Sequence, residues 1–212
     1  FVSQGEDTLT EYQSGKRVND IYKITSTGIK THRDDFIIDF SKGSLISRIN
    51  IFTDKSYSNN VIKTKFSLVE NKEWRISVAR EWLQNNIWQS NVINMSYRPF
   101  DNRYILLTHA LVDRPRLEIM KHLMLDNLAL GLGRQGLAVS QDNWDLIYCT
   151  EKPIDTNAFR RGGVQVFPLY IYNTPEETKG TLFAQTETTR EPNLSPAFIK
   201  DFSAKLKLQF IP

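Results

Sequence analysis

Apolar and polar residues follow strand or helix spacing in separate stretches of the chain, and the first of these stretches lie between positions 20 and 52. Residues 20–24 alternate polar and apolar side chains, which predicts a strand. Residues 36–40 form a short, mostly apolar run and predict a second strand. Ser41 has a side chain typical of a helix N-cap, and it predicts a helix that continues to about Phe52.

A longer helix is predicted over residues 74–86. Trp74, Val78 and Trp82 recur at helical spacing on one stripe, and such a stripe usually faces a protein core. Beside the stripe lie Ile76, Ala79 and Leu83. We therefore expect the tryptophans to be core residues, with stacking on nucleobases as the alternative interpretation.

The centre of the chain combines two short strands with an arginine-rich turn. Residues 92–95 and 103–107 predict the strands, and an Arg-Pro-Phe-Asp sequence lies between them. Asp113 can cap a following helix, because proline at position 115 is tolerated in the first helical turn. The spacing assigns the residues of that helix to different faces: Leu117, Met120 and Met124 inward, and Arg116, Lys121 and His122 on the other faces.

The remainder of the chain predicts further strands and one terminal helix. Residues 128–132, 146–150 and 164–172 have the composition of strands. Pro168 indicates an edge strand or the start of a strand, because proline cannot donate a ladder hydrogen bond. Residues 173–193 are typical of an exposed linker, and a short helix is predicted from Pro196 to about Lys207.

Helices and strands alternate irregularly, which favours a mixed α/β (α+β) class over a doubly wound sheet. We expect one domain with a mixed sheet and flanking helices. Its core would span residues 20–172, after a polar entry segment over residues 1–19 from an upstream domain. Residues 173–212 would form a linker and a truncated terminal helix. Because the first residue is Phe1 and not methionine, we expect the chain to be a piece of a longer polypeptide.

The composition is that of a globular protein, with 212 residues of which 40% are hydrophobic. Cys149 is the only cysteine, so an internal disulfide is excluded, and this usage is typical of the cytoplasm. No apolar run approaches the length of a membrane span, and we expect no membrane partner. The net charge of +3 favours a polyanionic partner only weakly.

The basic residues concentrate in the middle of the chain, where positions 98–134 hold six Lys or Arg and four Asp or Glu. The planar guanidinium of arginine matches phosphate and guanine edges, because it donates two parallel hydrogen bonds. A structural alternative stays open for the turn, since Arg98, Asp101 and Arg103 could form a buried ion-pair network that fixes it.

Three constellations suggest enzyme chemistry, and each is incomplete. Residues 131–136 match the letters of a dinucleotide-binding loop, but no helical run follows them. The cysteine and the three histidines lack the spacing of a zinc site. Asp34 and Asp35, near Lys30 and Arg33, could belong to a metal-dependent nuclease, but no third carboxylate is identified. We therefore expect no catalytic residue and no metal site.

Five short motifs occur in a fixed order along the chain. They read GIKTHRD (28–34), YRPFDNR (97–103), RPR (114–116, with Met120), RQ (134–135) and FPLYIY (167–172). This succession resembles the C-terminal specificity domain of type ISP single-polypeptide restriction-modification enzymes and their adenine-methyltransferase relatives. The resemblance covers about residues 20–200. It differs at His32, where a small residue, often glycine, is expected.

The resemblance implies a target-recognition domain that binds double-stranded DNA and works with the methyltransferase domain of the same chain. That domain would methylate adenine with S-adenosylmethionine, and longer relatives add a nuclease and a motor that use ATP and Mg²⁺. The Asn/Asp-Pro-Pro-Tyr/Phe signature of the methyltransferase core does not occur in this chain. We therefore expect this chain to need no cofactor and to have no activity of its own.

The glycine-bearing loops and one helix face supply the candidate DNA-binding residues. The DNA face is expected to be lined by Lys30, Thr31, His32, Arg33, Arg134 and Gln135, with Arg134 as a residue that reads bases. Phosphate contacts are expected from Arg116 and Lys121. Two other functions stay open at this point, a nuclease that uses Asp34 or Asp35 and a module that holds the domains of the parent enzyme together.

Overall fold

A computed structural model describes residues 10–11, 13–133, 146–159, 163–175 and 187–209 of the chain. The described residues belong to two compact units. One unit comprises Ser26–Pro168, and the other is built from the flanking segments Phe1–Thr25 and Leu169–Pro212. The candidate site lies entirely in the first unit, so the fold of that unit decides its geometry.

The helices are short, and the strands are mostly four to seven residues long. The α-helices are α1 (Val18–Ile21), α2 (Asp34–Ile37), α3 (Lys42–Thr53), α4 (Asn59–Lys65), α5 (Ile76–Asn85), α6 (Leu117–Met120) and α7 (Pro196–Leu206). Two 3₁₀-helices span Gln89–Asn91 and Lys121–Met124. The strands are β1 (Ser26–Thr27), β2 (Ile38–Asp39), β3 (Val92–Arg98), β4 (Asp101–Leu106), β5 (Ala129–Gly133), β6 (Ile147–Thr150), β7 (Val164–Pro168), β8 (Tyr170–Asn173) and β9 (Thr189–Pro192).

The described strands form three antiparallel sheets, in the orders β1-β7-β5-β6, β2-β4-β3 and β8-β9. This confirms the mixed α/β class. In place of one mixed sheet, the strands divide among these three sheets. In the described residues, parallel pairing is limited to the single bridges Ile29–Asp155 and Ser96–Ile154. The four-stranded and three-stranded sheets lie in the first unit, and the two-stranded sheet lies in the second.

Helix α3 forms where the sequence predicts it. The Ser41 hydroxyl accepts a hydrogen bond from the backbone N–H of Ser44, which is the expected N-cap contact. Leu45, Ile49 and Phe52 recur on one side of the helix and are fully buried. At about 25 cal/mol per Å² of apolar surface, each such side chain contributes roughly 1.5–3 kcal/mol to folding.

Helix α5 also forms, but its buried face differs from the predicted stripe. Val78 is 63% exposed, whereas Ile76, Ala79 and Leu83 face the core. Trp74 precedes the helix and is buried as expected, and its indole N–H donates to the carbonyl of Ala110 at 2.8 Å. The helix begins at Ile76, so Trp74 lies before it and is not part of its buried face.

Two strand predictions near the N-terminal end of the chain are wrong in whole or in part. Residues 20–24 contain the end of α1 and one bridge from Tyr22 to Leu194, and they form no strand. Residues 36–40 begin in α2, and the only strand among them is the two-residue β2, which pairs with β4. In both places the apolar side chains fit the alternating spacing of a strand and also the spacing of a helix, because five residues are too few to distinguish the two.

The β3–β4 hairpin confirms the two central strands and lengthens both. The helix that follows differs from its prediction, because α6 begins at Leu117 after Arg116 and Asp113 does not cap it. Met120 is buried as expected, but Met124 is 43% exposed and His122 is buried. The short 3₁₀ segment after α6 changes the angular spacing and moves these side chains off the predicted α-helical faces.

Strand β7 ends at Pro168, and this strand lies between β1 and β5 rather than at an edge. The proline therefore marks the end of an inner strand, and the prediction of an edge or a strand start is wrong. The strand predicted over residues 164–172 divides into β7 and β8. In the second unit, β8 pairs with β9, which lies in the region predicted as a linker. Helix α7 confirms the terminal helix, and Ser195 caps it by accepting from the N–H of Phe198. The domain boundaries at residues 19 and 172 stay predictions.

Candidate nucleic-acid interface

Four segments far apart in the sequence lie side by side in the first unit: residues 28–34, 96–103, 113–116 and 153–156. We call this set the loop junction. Lys30 and Arg114 exchange two backbone hydrogen bonds of 3.0–3.1 Å. On the other side, the Ile29 N–H donates to the Ile154 carbonyl at 2.8 Å. The chain at Ile154 is in turn bridged to Ser96 of β3. The glycine-bearing loop, the arginine-rich hairpin and the second Arg-Pro block therefore meet.

Arg33 is one of the predicted DNA contacts, but its side chain is 5% exposed. The guanidinium donates to the carbonyls of Thr31 and Leu111 at 3.1 Å and to Asp113 at 2.5 Å. It also stacks on the indole of Trp74, with 4.0 Å between the guanidinium carbon and the ring centroid. All three hydrogen bonds come from Nη1, and together with the stacking they join the two loops through a buried arginine. We therefore leave Arg33 out of the proposed DNA face.

Thr31 has the same structural character. It is 2% exposed, and its hydroxyl contacts Asp34 and accepts from the N–H of Arg33. These bonds shape the turn that leads into α2, where Asp34 and Asp35 occupy the first helical turn. A hydroxyl consumed by local bonds is not available to a base edge, so Thr31 is also left out of the face.

His32 lies between these two buried residues and points outward. Its backbone is left-handed, with φ of 57°, a conformation that glycine adopts without strain. This agrees with the glycine that the resemblance leads one to expect here. The imidazole is half exposed and forms a hydrogen bond with Asp113. Although burial raises the pKa of Asp113, its contacts with Arg33 and His32 hold that pKa below the ordinary value.

Four more basic residues lie on or next to the same loops. Lys30 is half-buried, and Arg114, its backbone partner, is exposed. Arg116 is half-buried and left-handed, with φ of 53°. Lys121 opens the 3₁₀-helix that follows α6 and is half-buried. Arg114 was not among the predicted site residues, and its backbone pairing with Lys30 is what places it there. Arg134 and Gln135 lie outside the described residues.

The arginines of the β3–β4 hairpin are held differently from the predicted network. Arg103 pairs with Asp101 at 2.8 Å, as expected, but both side chains are about one quarter exposed rather than buried. Arg98 pairs instead with Asp155, at 2.8 Å. The hydroxyl of Tyr97 donates to Asp34 at 2.9 Å. These two side-chain contacts therefore join the hairpin to the other segments of the loop junction, and the sequence of the hairpin alone cannot reveal them.

Asp155 is the most strongly perturbed acid of the junction. It is 2% exposed, and burial raises its pKa to about 6, although the N–H of Asn157 and the Arg98 guanidinium favour the charged form. Desolvation penalises the carboxylate more than these partners stabilise it. The raised pKa reflects a buried structural acid, because its contacts lie within the junction.

The stability of the chain is expected to depend on the titration of Asp155. Because its pKa in the folded state is above the ordinary 3.8, the folded state binds more protons between about pH 4 and pH 6. The contribution of Asp155 to the free energy of unfolding therefore falls as the pH rises through this window. Asp155→Asn removes the titration, so the variant should gain on the order of 2 kcal/mol relative to wild type between pH 4 and 7. Urea unfolding at a series of pH values measures this difference.

A matched control is Asp35→Asn, which removes an exposed carboxylate from the first turn of α2. A gain in Asp155→Asn alone assigns the pH dependence to Asp155, whereas an equal gain in both variants would assign it to the loss of one negative charge. Parallel curves for Asp155→Asn and wild type would show that folding does not change the pKa of Asp155, which contradicts the expectation.

The glycines at 131 and 133 serve packing within the sheet. A Cβ at Gly131 would lie 2.7 Å from the ring of Tyr148, and one at Gly133 would lie 2.5 Å from the Cβ of Leu146. Both glycines therefore let side chains of the β6 region lie directly on β5. Packing within the sheet therefore explains Gly131 and Gly133, the described glycines of the sequence that matches a dinucleotide-binding loop.

The nuclease interpretation finds no geometric support. In the described part of the chain, no three His, Cys, Asp or Glu side chains are close enough to hold a metal ion. Asp34 is engaged with Thr31 and Tyr97.

Among the described residues, no helix combines the length and apolar character that crossing a membrane requires.

The fold and the site define a mixed α/β domain that gathers basic loops around a structurally braced junction. The chain belongs to the type ISP C-terminal specificity domain family, whose model matches residues 20–211. None of the curated protein sequences compared with the chain matches it.

Three solved structures share the fold at low sequence identity. The cryo-EM structure of a DrdV–DNA complex has 16% identity and a TM-score of 0.62, over 91% of this chain and 18% of that chain. The ATP-dependent type ISP restriction-modification enzyme LlaBIII bound to DNA has 19% identity and a TM-score of 0.59, over 89% of this chain and 12% of that chain. A nuclease-deletion mutant of the type ISP enzyme LlaGI, in complex with a DNA substrate mimic, has 19% identity and a TM-score of 0.55, over 85% and 17%. This chain therefore spans less than one fifth of those chains.

Proposed function

We propose that this chain binds double-stranded DNA and reads its sequence, as the target-recognition domain of a type ISP restriction-modification enzyme. The match to the specificity-domain family over residues 20–211 carries the proposal. The three structures of similar fold are complexes with DNA or a DNA mimic, which supports it.

The loop junction supplies the chemistry that such a domain needs. Lys30, His32, Arg114 and Arg116 lie on two loops that the backbone bridge at Lys30 joins. The lysine and arginine side chains of such a surface can contact successive phosphates and fix the register of the duplex. Lys121 would extend these phosphate contacts. Arg134 and Gln135, which follow β5, are proposed to read base edges, for which arginine and glutamine are well suited.

The rest of the enzyme is part of the proposal. We assign adenine methylation with S-adenosylmethionine to a methyltransferase domain of the same chain, with DNA recognition as the only task of the domain described here. ATP and Mg²⁺ would serve a motor and a nuclease where the parent enzyme has them. A domain that reads DNA works in the compartment that holds the DNA, so we place the enzyme in the cytoplasm.

The proposal is tested by fluorescence-anisotropy titration of this chain with a pool of random-sequence duplexes at two salt concentrations. The bound fraction is then sequenced. Salt-sensitive binding with an enriched short sequence is the expected result. Salt-sensitive binding without enrichment would assign base readout to the chain together with its methyltransferase domain. An absence of binding at low salt would contradict the proposal and favour a module that holds the parent enzyme together.

The double variant Lys30→Ala/Arg114→Ala tests the assigned face. If both side chains contact phosphates, binding to all sequences weakens and the slope of log affinity against log salt falls by about two. The sequence preference stays the same, because phosphate contacts carry no base information. The matched control is Lys55→Ala/Lys72→Ala, which removes two exposed lysines from other loops. Equal slopes for the two double variants would move the DNA face elsewhere.

A further inference from the structure

The tip of the β3–β4 hairpin carries a phenylalanine that the fold does not use. Pro99 and Phe100 form the two-residue loop between Arg98 and Asp101, which pair with each other. The side chain of Phe100 is fully exposed to solvent. A single exposed apolar residue needs no explanation, but a whole aromatic ring at the end of a projecting hairpin is unusual.

The backbone conformation of Phe100 makes its presence harder to explain by folding. Its φ of 65° lies in the left-handed region, where a side chain with a Cβ is strained. Proline followed by a residue with positive φ matches a type II turn, and that second position favours glycine or asparagine. Phenylalanine therefore costs stability here without burying any surface in return. Residues kept in such conformations cluster at functional sites.

The hairpin behind the tip is braced by alternating aromatic and guanidinium groups. The Arg103 guanidinium lies between the rings of Phe40 and Tyr97, 4.1 Å from each centroid. Arg98 lies over the ring of Tyr97 at 3.8 Å. We call these four side chains the aromatic–arginine stack. The stack holds two cations at the base of the tip, and a β-bulge between Ser96 and Arg98 bends the strand there.

We propose that Phe100 inserts as an apolar wedge against a base step of duplex DNA, while the stack places Arg98 and Arg103 near the flanking phosphates. This inference rests on the proposed function. Exposed phenylalanines that enter DNA partly unstack neighbouring bases, and the ring gains stacking contacts in return. The tip favours DNA over an apolar protein partner because of the two arginines behind it. Arg98 binds Asp155 and the Tyr97 carbonyl through Nη1, and Arg103 binds Asp101 through Nε and Nη2, so each guanidinium keeps further N–H groups that can donate to phosphate.

Phe100→Gly tests the wedge, because it removes the ring and also relieves the backbone strain. The variant should melt at an equal or higher temperature than wild type, yet bind the random-sequence duplex pool about tenfold more weakly. Its salt slope should be unchanged, since the phosphate contacts remain. A second pool that carries 2-aminopurine in place of adenine reports unstacking. Its fluorescence should rise when wild type binds and should not rise with the variant at saturating concentration.

The control is Ile87→Ala, which removes another highly exposed apolar side chain outside the hairpin. It should bind and unstack DNA as wild type does. If wild type binds DNA but Phe100→Gly has the same affinity and fluorescence response, the wedge is wrong and the proposed function stands. A lower melting temperature for Phe100→Gly would give the ring a structural role and overturn the wedge as well. If wild type does not bind DNA at low salt, the proposed function and the wedge both fail.

Discussion

Replacing Arg33 by alanine is expected to lower the free energy of unfolding by about 3–5 kcal/mol, the range for breaking a buried ion pair from one side. The change leaves the half-buried carboxylate of Asp113 without its main partner and the carbonyls of Thr31 and Leu111 without a donor. It also removes the guanidinium from the indole face of Trp74. Urea unfolding followed by tryptophan fluorescence measures the loss, and Trp74 itself lies beside the altered side chain.

The outcome separates a structural arginine from one that reads DNA. Arg75→Ala is the matched control, because Arg75 is exposed and its side chain makes no capping hydrogen bond to α5. It should change stability by less than about 0.5 kcal/mol. Arg33→Lys keeps the charge but loses the planar fork, so its loss should be intermediate. If Arg33→Ala instead matches Arg75→Ala in stability and loses sequence preference, Arg33 belongs to the DNA face after all.

Elements with strong local signals could be predicted from the sequence. Helix α3 follows from the Ser41 cap and the spacing of Leu45, Ile49 and Phe52, all of which act within a few residues of one another. The β3–β4 hairpin follows from two apolar strands around a proline turn. Where a segment is only five residues long, as at 20–24, the apolar spacing fits both periods. The choice there depends on a distant contact, the bridge of Tyr22 to Leu194.

The candidate site could be predicted only at the level of its segments. The motifs at residues 28–34, 97–103 and 114–116 do meet in the first unit, and their joint presence is what the resemblance detects. Which side chains face outward depends on partners far along the chain. Arg33 is buried because Asp113 and Leu111 lie against it, and Arg98 is held by Asp155 rather than by Asp101. No spacing rule reports such pairings.

This division explains why arginine content alone is a poor guide to the DNA face. Arg33 contacts an acid and an aromatic ring and is buried, so its presence in a dense basic motif has a structural explanation. Arg98 and Arg103 make similar contacts but stay partly exposed behind the hairpin tip. Arg114 lies outside the YRPFDNR motif at residues 97–103, yet it is exposed beside Lys30. The residues that brace the junction and the residues that can reach a ligand therefore alternate along the same short segments.

Gly28 is where the junction is most sensitive to a single added carbon. A Cβ at this position would lie 2.6 Å from the backbone nitrogen of Thr156 and 2.7 Å from the carbonyl carbon of Asp155. Backbone atoms cannot rotate away as a side chain can, so Gly28→Ala must push the two segments apart. The hydrogen bonds of Ile29 to Ile154 and Thr156 would lengthen with them. We expect a loss of about 2–3 kcal/mol in the free energy of unfolding, at the upper end for overpacking.

Gly43→Ala is a control with the opposite expected sign. Gly43 lies in the exposed first turn of α3, and its added Cβ would come no closer than 3.7 Å to the Ser41 hydroxyl oxygen. Alanine there should stabilise the chain by up to about 0.5–1 kcal/mol, because it restricts the unfolded chain and favours the helix.

Gly28→Ala should also weaken DNA binding, because Gly28 joins the loop that carries Lys30 to the segment that anchors the hairpin. Gly43→Ala should leave DNA binding unchanged. Equal stability of the two variants would mean that the backbones at Gly28 and Thr156 are not held in contact, and the loop junction would lose its central connection.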